Sequence, residues 1–407
     1  MSKYFRLINR VGGGVVASKM LHTWVYMKTY APLPLLSSLH TSLVVASYLF
    51  SFCLIPLSSH ALPQTGGLEG DFLSWGAGAR ALGLGKAYVA LATDSSAAYW
   101  NPAGLAFAER SEVGALHAIL WEGANYDFLG VALPTLSSGT FGWFGSLLSV
   151  GGLEGRNDDN DITGTFGVTK FGTGLAYGTE LIPELGVGFT MKWLGRWFDG
   201  RESGFVTADV GLRWKPQAWA VLGVVVQQAA SIRYGGTEDA LLPTLRVGLA
   251  LAPVPELGTI VADLEAPGGF SRPDDLRWRV GVESAPIGPL TARAGLDTWE
   301  AAGGVGLAIE GWTVDYSGAT HREFGLSHRI ALSTQWGESR WAARGAHARE
   351  AYQRAVAAYK RAEKAGRSSE EGTAFLQDAA SALREVLSYD STNQAAQRLL
   401  NRMTSAR

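Results

Sequence analysis

From about residue 112 to 337, apolar and polar positions alternate with a period of two rather than 3.6. In "LGVGFTMKWLGRWF", Leu185, Val187, Phe189, Met191, Trp193 and Trp197 share one face. Gly186, Gly188, Thr190, Lys192 and Arg196 share the other. "VTADVGLRW" sets Val206, Ala208, Val210, Leu212 and Trp214 against Thr207, Asp209, Gly211 and Arg213. "LRWRVGVE" sets Leu276, Trp278, Val280 and Val282 against Arg277, Arg279, Gly281 and Glu283, and "WTVDYS" and "RIALSTQW" repeat the scheme. Successive side chains point to opposite faces of a strand, so each segment is predicted to be a strand with one apolar and one polar face. About 14 such strands are predicted, near 112–120, 125–134, 138–150, 162–178, 185–197, 204–214, 217–229, 243–252, 257–265, 276–285, 289–299, 302–310, 312–319 and 326–337. The alternation is weakest in the fourth and seventh.

A soluble sandwich alternates too, with its apolar face turned inward. Two features predict the inverse, membrane arrangement. Many segments reach nine or more residues, the length a tilted strand needs to cross a bilayer. Tryptophan and tyrosine also recur near segment ends. Trp193, Trp214, Trp278, Trp312 and Trp336 are the expected aromatic girdle of an antiparallel transmembrane β-barrel, an all-β fold. Short turns ("IPEL", "KPQA", "APIGP", "EGW") alternate with longer polar connections ("GGLEGRNDDNDI", "FDGRESG", "ASIRYGGTEDALLP", "APGGFSRPDD", "ATHREFGLS"). Short turns belong on the periplasmic side of an outer-membrane barrel. Both ends of the barrel are therefore expected there.

The flanks differ from the middle. Residues 342–407 are rich in Ala and charge and helical in period. The expectation is a periplasmic helical hairpin in which Ala351, Val356, Tyr359, Phe375, Leu383, Val386 and Leu387 form one stripe. "ALREVLSYDSTNQAAQRLL" is similar to the second helix of a tetratricopeptide unit, its acidic turn and the start of the next helix. One such unit cannot bury its apolar face alone, so it packs under the barrel or receives a partner. Near the other terminus, "LVVASYLFSFCLIPLSSHALPQ" has an apolar core of about 15 residues followed by Ser59 and Ala61 in a cleavage pattern. This predicts a signal peptide over 1–61, with a retained anchor as the alternative and Met20 or Met27 as alternative starts. The only cysteine, Cys53, lies inside that leader.

With 407 residues, a net charge of −2, 51 glycines and 14 tryptophans, the chain gives no electrostatic case for nucleic acid. No enzyme signature stands out. "GLGKAY" lacks the third glycine of a dinucleotide loop, and His117, His321, His328 and His347 show no metal-ligand spacing. No catalysis, metal or cofactor is expected. By the alternation, the lumen receives Lys192, Arg196, Asp209, Arg213, Arg246, Asp263, Glu265, Arg277, Arg279, Glu283, Arg293, Asp297 and Asp315. Both signs occur. A mutually paired ladder and a substrate path are both open readings, but an anion-selective pore would need one sign to dominate.

Ahead of the strands stands "GAGARALGLGKAYVALATDSSAAYWNPAGLA", residues 76–106. It resembles the N-terminal signature of the PorV/PorQ-like outer-membrane proteins, relatives of the FadL-type fatty-acid channels. The positions that carry the resemblance are Ala79-Arg80-Ala81, Gly83, Gly85, Ala87, Val89-Ala90, Asp94, Ala97 and Trp100-Asn101-Pro102-Ala103-Gly104-Leu105. Ser95 stands where the family usually has a second acidic residue, and Leu84 where it often has Met. The resemblance implies a hatch over 62–111 that folds into the barrel, with Arg80, Gly83, Gly85, Asp94, Trp100, Asn101, Pro102 and Gly104 as hatch or gate residues. Small residues suit close packing inside a lumen, Asp94-Ser95-Ser96 suits a helix cap, and Asn101 before Pro102 is pushed extended. Arg80 is expected to pair with a lumen carboxylate.

Three functions are expected from these readings. The resemblance implies FadL-like passage of hydrophobic solutes across the outer membrane. As an alternative, it implies a PorV-like role in type IX secretion, binding secreted proteins as cargo. The tail supports a third, a lipid-embedded anchor for a periplasmic partner.

Overall fold

The computed structural model describes residues 71–198, 201–235, 241–268, 276–390 and 392–405. The expected signal peptide, Cys53 and residues 62–70 of the expected hatch lie outside the described residues.

Fourteen strands form one closed antiparallel barrel in sequence order. They are β1 (Ser111–Ile119), β2 (Asn125–Pro134), β3 (Thr140–Arg156), β4 (Ile162–Ile182), β5 (Leu185–Phe198), β6 (Arg201–Gln217) and β7 (Ala220–Gly235). Then follow β8 (Thr244–Leu251), β9 (Gly258–Pro267), β10 (Arg277–Ser284), β11 (Leu290–Asp297), β12 (Glu300–Ile309), β13 (Trp312–His321) and β14 (Gly325–Trp336). The seam closes by pairing β1 with β14, from Ser111↔Trp336 to Ile119↔His328. Closure matters because lipid offers no partner to an open strand edge.

The outer wall is apolar. Phe141, Leu175, Phe189, Met191, Val210, Val305, Val314 and Ile330 are all exposed. A water-soluble monomer rarely exposes so continuous a surface. The barrel therefore crosses a membrane with its strands. Among the described residues no helix is long and apolar enough to cross one. Trp193, Trp214, Trp312 and Trp336 are between 43% and 52% exposed on that wall. Trp278 is only half-buried there.

Strand lengths depart from the sequence expectation on one side. Strands β3 to β7 run 14 to 21 residues, against 8 to 12 for the others. Parts of "GGLEGRNDDNDI" and "FDGRESG", expected as loops, are paired strand: Glu154 faces Thr165 and Phe198 faces Arg201. The cause is solvation. Above the membrane both faces of a strand meet water, so the alternation fades while the backbone pairing continues.

After β14 the chain becomes helical: α3 (Arg340–Ala365), α4 (Glu370–Tyr389) and α5 (Gln394–Ser405). Two short helices precede the barrel, α1 (Ala79–Gly83) and α2 (Ala97–Trp100). Gly366, at φ 86°, ends α3 in the left-handed region that glycine tolerates. Ser369 starts α4, its Oγ accepting the Gly372 N–H at 2.9 Å, with Glu370 and Glu371 in the first turn. The tail holds three helices rather than a hairpin and begins at Arg340. Its core is mostly small: Ala348, Ala351, Ala355, Ala382 and Ala396 with Leu383 and Val386. Of the expected stripe, Ala351, Tyr359, Leu383 and Val386 are buried, while Val356, Phe375 and Leu387 are half-buried. The alanines let α3 and α4 approach closely, which a search for large apolar residues overlooks.

Candidate functional site: a hatch inside the lumen

Residues 73–108 fill the lumen, and most of their side chains are buried. The segment runs from one mouth to the other. At the end bearing the long strands, Trp75 lies 5.4 Å from Trp121 in the β1–β2 connection. At the opposite end the 3-10 turn Pro102–Phe107 leads into β1.

Around Asn101 the hatch is built by local chemistry. Its backbone is extended (φ −158°, ψ 104°), as a residue before proline must be. Its Oδ1 accepts the Ala103 N–H at 3.1 Å, and its Nδ2 donates to the Val89 carbonyl at 3.0 Å and to Leu212 of β6 at 3.2 Å. Pro102 then opens the 3-10 turn, where a missing N–H costs nothing. The wall beneath is glycine because the backbone comes so near. A Cβ on Gly188 would stand 2.2 Å from the Pro102 carbonyl carbon, and one on Gly211 would stand 2.1 Å from Asn101 Oδ1. Gly104 is needed for the same reason, since its Cβ would stand 1.6 Å from the Ala92 oxygen. Gly85 (φ +63°) packs on the Leu296 backbone, and Gly83 lies against Gly304.

One side of the lumen holds the hatch by apolar packing. Leu116 and Ala118 of β1, Tyr126 and Phe128 of β2, and Phe144 and Leu148 of β3 all point inward and are buried. Tyr99 meets Phe128 at 5.8 Å and Phe144 at 5.5 Å, and Trp100 at 5.4 Å. Trp100 Nε1 donates to the Ala77 carbonyl at 2.8 Å, so its polar end is satisfied within the hatch.

The other side holds it by charge. Arg80 meets Glu283 of β10 in a fork, Nε at 2.8 Å and Nη2 at 2.7 Å. Arg293 of β11 reaches the same carboxylate at 2.7 Å and also Asp315 of β13. Lys86 joins Asp297 at 3.1 Å and Glu300 at 3.2 Å. The Asp263 carboxylate accepts the Tyr88 and Val89 N–H groups at 2.7 and 3.0 Å. Above it, within the wall itself, Arg246, Arg277 and Arg279 converge on Glu265 at 2.8, 3.0 and 2.6 Å, and Arg246 lies 5.6 Å from the Trp100 ring of the hatch. Arg213 donates from Nε to the Ala90 carbonyl at 2.9 Å. Lys192 pairs with Asp209, both fully buried, and lies 5.6 Å from the Tyr99 ring. Arg196 sits half-buried on the inner face.

Asp94 does not cap α2 through a side-chain bond to a helical N–H. Its carboxylate takes the Ser96 N–H and hydroxyl at 2.9 and 2.6 Å, and the Tyr88 hydroxyl. A cavity of 310 Å³ lies between this turn and the wall, lined by Arg80, Asp94, Ser95, Glu112, Glu283, Arg293, Asp315 and Gln335 among others.

Sequence reasoning passed over Lys86, Glu300, Arg329 and Arg340. Lys86 sits at φ 65°, unusual for a residue with a side chain and the one local sign of a special position. Arg340 lies in the first turn of α3 and is buried in the mouth of the barrel. Its Nη1 donates to the Ala106 carbonyl of the hatch and to Thr140 Oγ1 of β3, both at 3.1 Å. Its Nη2 reaches Glu180 of β4 at 3.2 Å, and Arg344 shares that carboxylate at 3.0 Å. Burial, with Arg344 alongside, pushes the Arg340 guanidinium down to about 10 against the pull of Glu180. It stays charged at neutral pH.

No family model and no curated protein matches the chain. Several solved structures are similar to it. CymD, a monoaromatic hydrocarbon channel, aligns at a TM-score of 0.49 and 11% identity, covering 65% of this chain and 98% of its own. The toluene transporter TodX of Pseudomonas putida aligns at 0.43 and 12%, covering 63% and 96%. A FadL homologue of Pseudomonas aeruginosa aligns at 0.42 and 12%, covering 61% and 95%. At these identities the likeness is one of barrel fold and brings no solute with it.

Proposed function

We propose that this chain is an outer-membrane barrel that passes small hydrophobic solutes, with residues 73–108 as the gate. One observation carries the reading. Barrel interiors are ordinarily polar, yet β1 to β3 line this lumen with Leu116, Tyr126, Phe128, Phe144 and Leu148, all buried against the hatch. That stripe gives an apolar solute a surface to follow once the hatch moves. The ion pairs opposite hold the hatch without competing for that surface. Protein reconstituted in liposomes tests it with a small monoaromatic hydrocarbon and a sugar of similar size. Faster entry of the hydrocarbon supports the reading; equal entry of both overturns it.

A second reading rests on the tail. Three helices stand on one mouth, fixed there by Arg340 and Arg344. An even strand count and an exported N-terminus would put that mouth in the periplasm. The tail would then dock a periplasmic partner, or cargo, in the manner that the PorV-like resemblance implies. Pulldown with full-length chain and with chain truncated after Trp336 separates the cases. Loss of a specific partner on truncation supports docking, and identical partner lists oppose it.

A further inference from the structure

We infer that Arg340 is a positioning residue that bolts the lower end of the hatch, so that the tail controls hatch release. Three parts of the chain meet at its guanidinium. The tail supplies Arg340 itself. The hatch supplies the Ala106 carbonyl, at 3.1 Å from Nη1. The wall supplies Thr140 Oγ1 at 3.1 Å and Glu180 at 3.2 Å. The Arg340 N–H also donates to the Glu109 carbonyl at 2.8 Å, between hatch and β1.

The chemistry suits arginine and no other side chain. A planar guanidinium presents donors in fixed directions and can serve three acceptors at once. A lysine ammonium is a compact point charge on a flexible stem and lacks that fork. Arg344 reinforces the site by sharing Glu180 at 3.0 Å and donating to the Leu136 carbonyl. Both guanidinium groups also lie over the Trp341 ring, at 4.8 and 5.1 Å from its centre.

The mechanical consequence follows from connectivity. From Ala348 onward, α3 packs on α4 rather than on the barrel. A force or partner acting on those helices reaches the barrel through the first turn of α3, where the bolt sits. Withdrawing that turn removes the hydrogen bond to Ala106 and the ion pair to Glu180 together. The 3-10 turn Pro102–Phe107 then loses its tie to the tail, while the Asn101 hydrogen bonds, the Arg80 pair near the same mouth and the Lys86 pairs toward the other mouth remain.

The functional meaning of this bolt rests on the hatch-gated reading, but its test does not. A reporter cysteine is placed by Ala106→Cys in the full chain with Cys53→Ser. Ala106 is fully buried, so its labelling by a membrane-impermeant maleimide reads hatch release directly. Arg340→Ala should raise the labelling rate at least about tenfold, since a local opening loses several charge-assisted hydrogen bonds. Arg340→Lys should give a smaller rise, and Glu180→Gln, which leaves Arg340 in place, a rise of a few fold. Heat-modifiable migration of the barrel should be unchanged in all three. Unchanged labelling in folded Arg340→Ala overturns the bolt. If that variant does not assemble, unchanged labelling in Glu180→Gln overturns it. Faster labelling without any gain in hydrocarbon entry leaves the bolt standing and counts against the passage reading alone.

Discussion

The two sides of the lumen hold the same hatch by different physics. Along β1 to β3 the contact is aromatic and aliphatic, built from Phe128, Phe144, Leu116 and Tyr99. Along β9 to β12 it is ionic, built from Arg80 on Glu283, Lys86 on Asp297 and Glu300, and the Tyr88 and Val89 N–H groups on Asp263. Apolar contacts are non-directional, so a hatch can slide along them at modest cost. A forked ion pair is directional and has one good geometry. The charged side therefore fixes where the hatch sits, and the apolar side provides the surface along which it leaves. A lumen lined uniformly by either kind would make a permanent plug or a loose one.

That comparison can be broken by weakening the charged wall, the apolar wall and the anchors of the hatch in turn. The largest effect is expected from Glu265→Ala. It leaves Arg246, Arg277 and Arg279 without their shared carboxylate in a buried site, and breaking a buried pair costs about 3–5 kcal/mol. The thermal midpoint of barrel unfolding in detergent should fall markedly, and Glu265→Gln should recover only part. Next comes Phe144→Ala on the apolar side, at about 3 kcal/mol or somewhat more for a buried aromatic. There the loss should be insensitive to added salt, and hydrocarbon entry should change along with stability. Asn101→Ala removes three hydrogen bonds of the central turn and should cost about 1–2 kcal/mol. Smallest is Arg80→Ala. Its pair with Glu283 is a third exposed on the arginine side, so about 1 kcal/mol is expected.

The barrel was legible because lipid and lumen impose opposite polarities on alternate residues, a mark most of the fourteen segments carried clearly and the fourth and seventh only weakly. Where the constraint stops, so did the reading: the end of β3 is exposed on both faces and passed for a loop. The inward direction of Arg279 or Asp297 followed from the same alternation, but their partners did not. Asp263 serves the backbone of Tyr88 and Val89 across 175 and 174 positions, and no local pattern encodes such a contact. Arg340 was hidden differently. It stands among many charges in a helical tail, and only the fold shows that its side chain turns back into the barrel. The hatch residues were identified through a family resemblance. The structure adds the physical reason for the glycines, which are places where two backbones touch.

The central claim is that solute passes only when the hatch moves away from the wall. A reversible tether tests it. An ideal Cβ on Gly83 stands 3.5 Å from Ser317 Cβ on β13, within the separation a disulfide requires. Gly83→Cys with Ser317→Cys, in a Cys53→Ser background, would fasten hatch to wall when oxidised and free it when reduced. Hydrocarbon entry into liposomes is then measured in both states. The account predicts entry blocked in the oxidised protein and restored by reductant. Equal entry in the two states, with the disulfide verified, would contradict it.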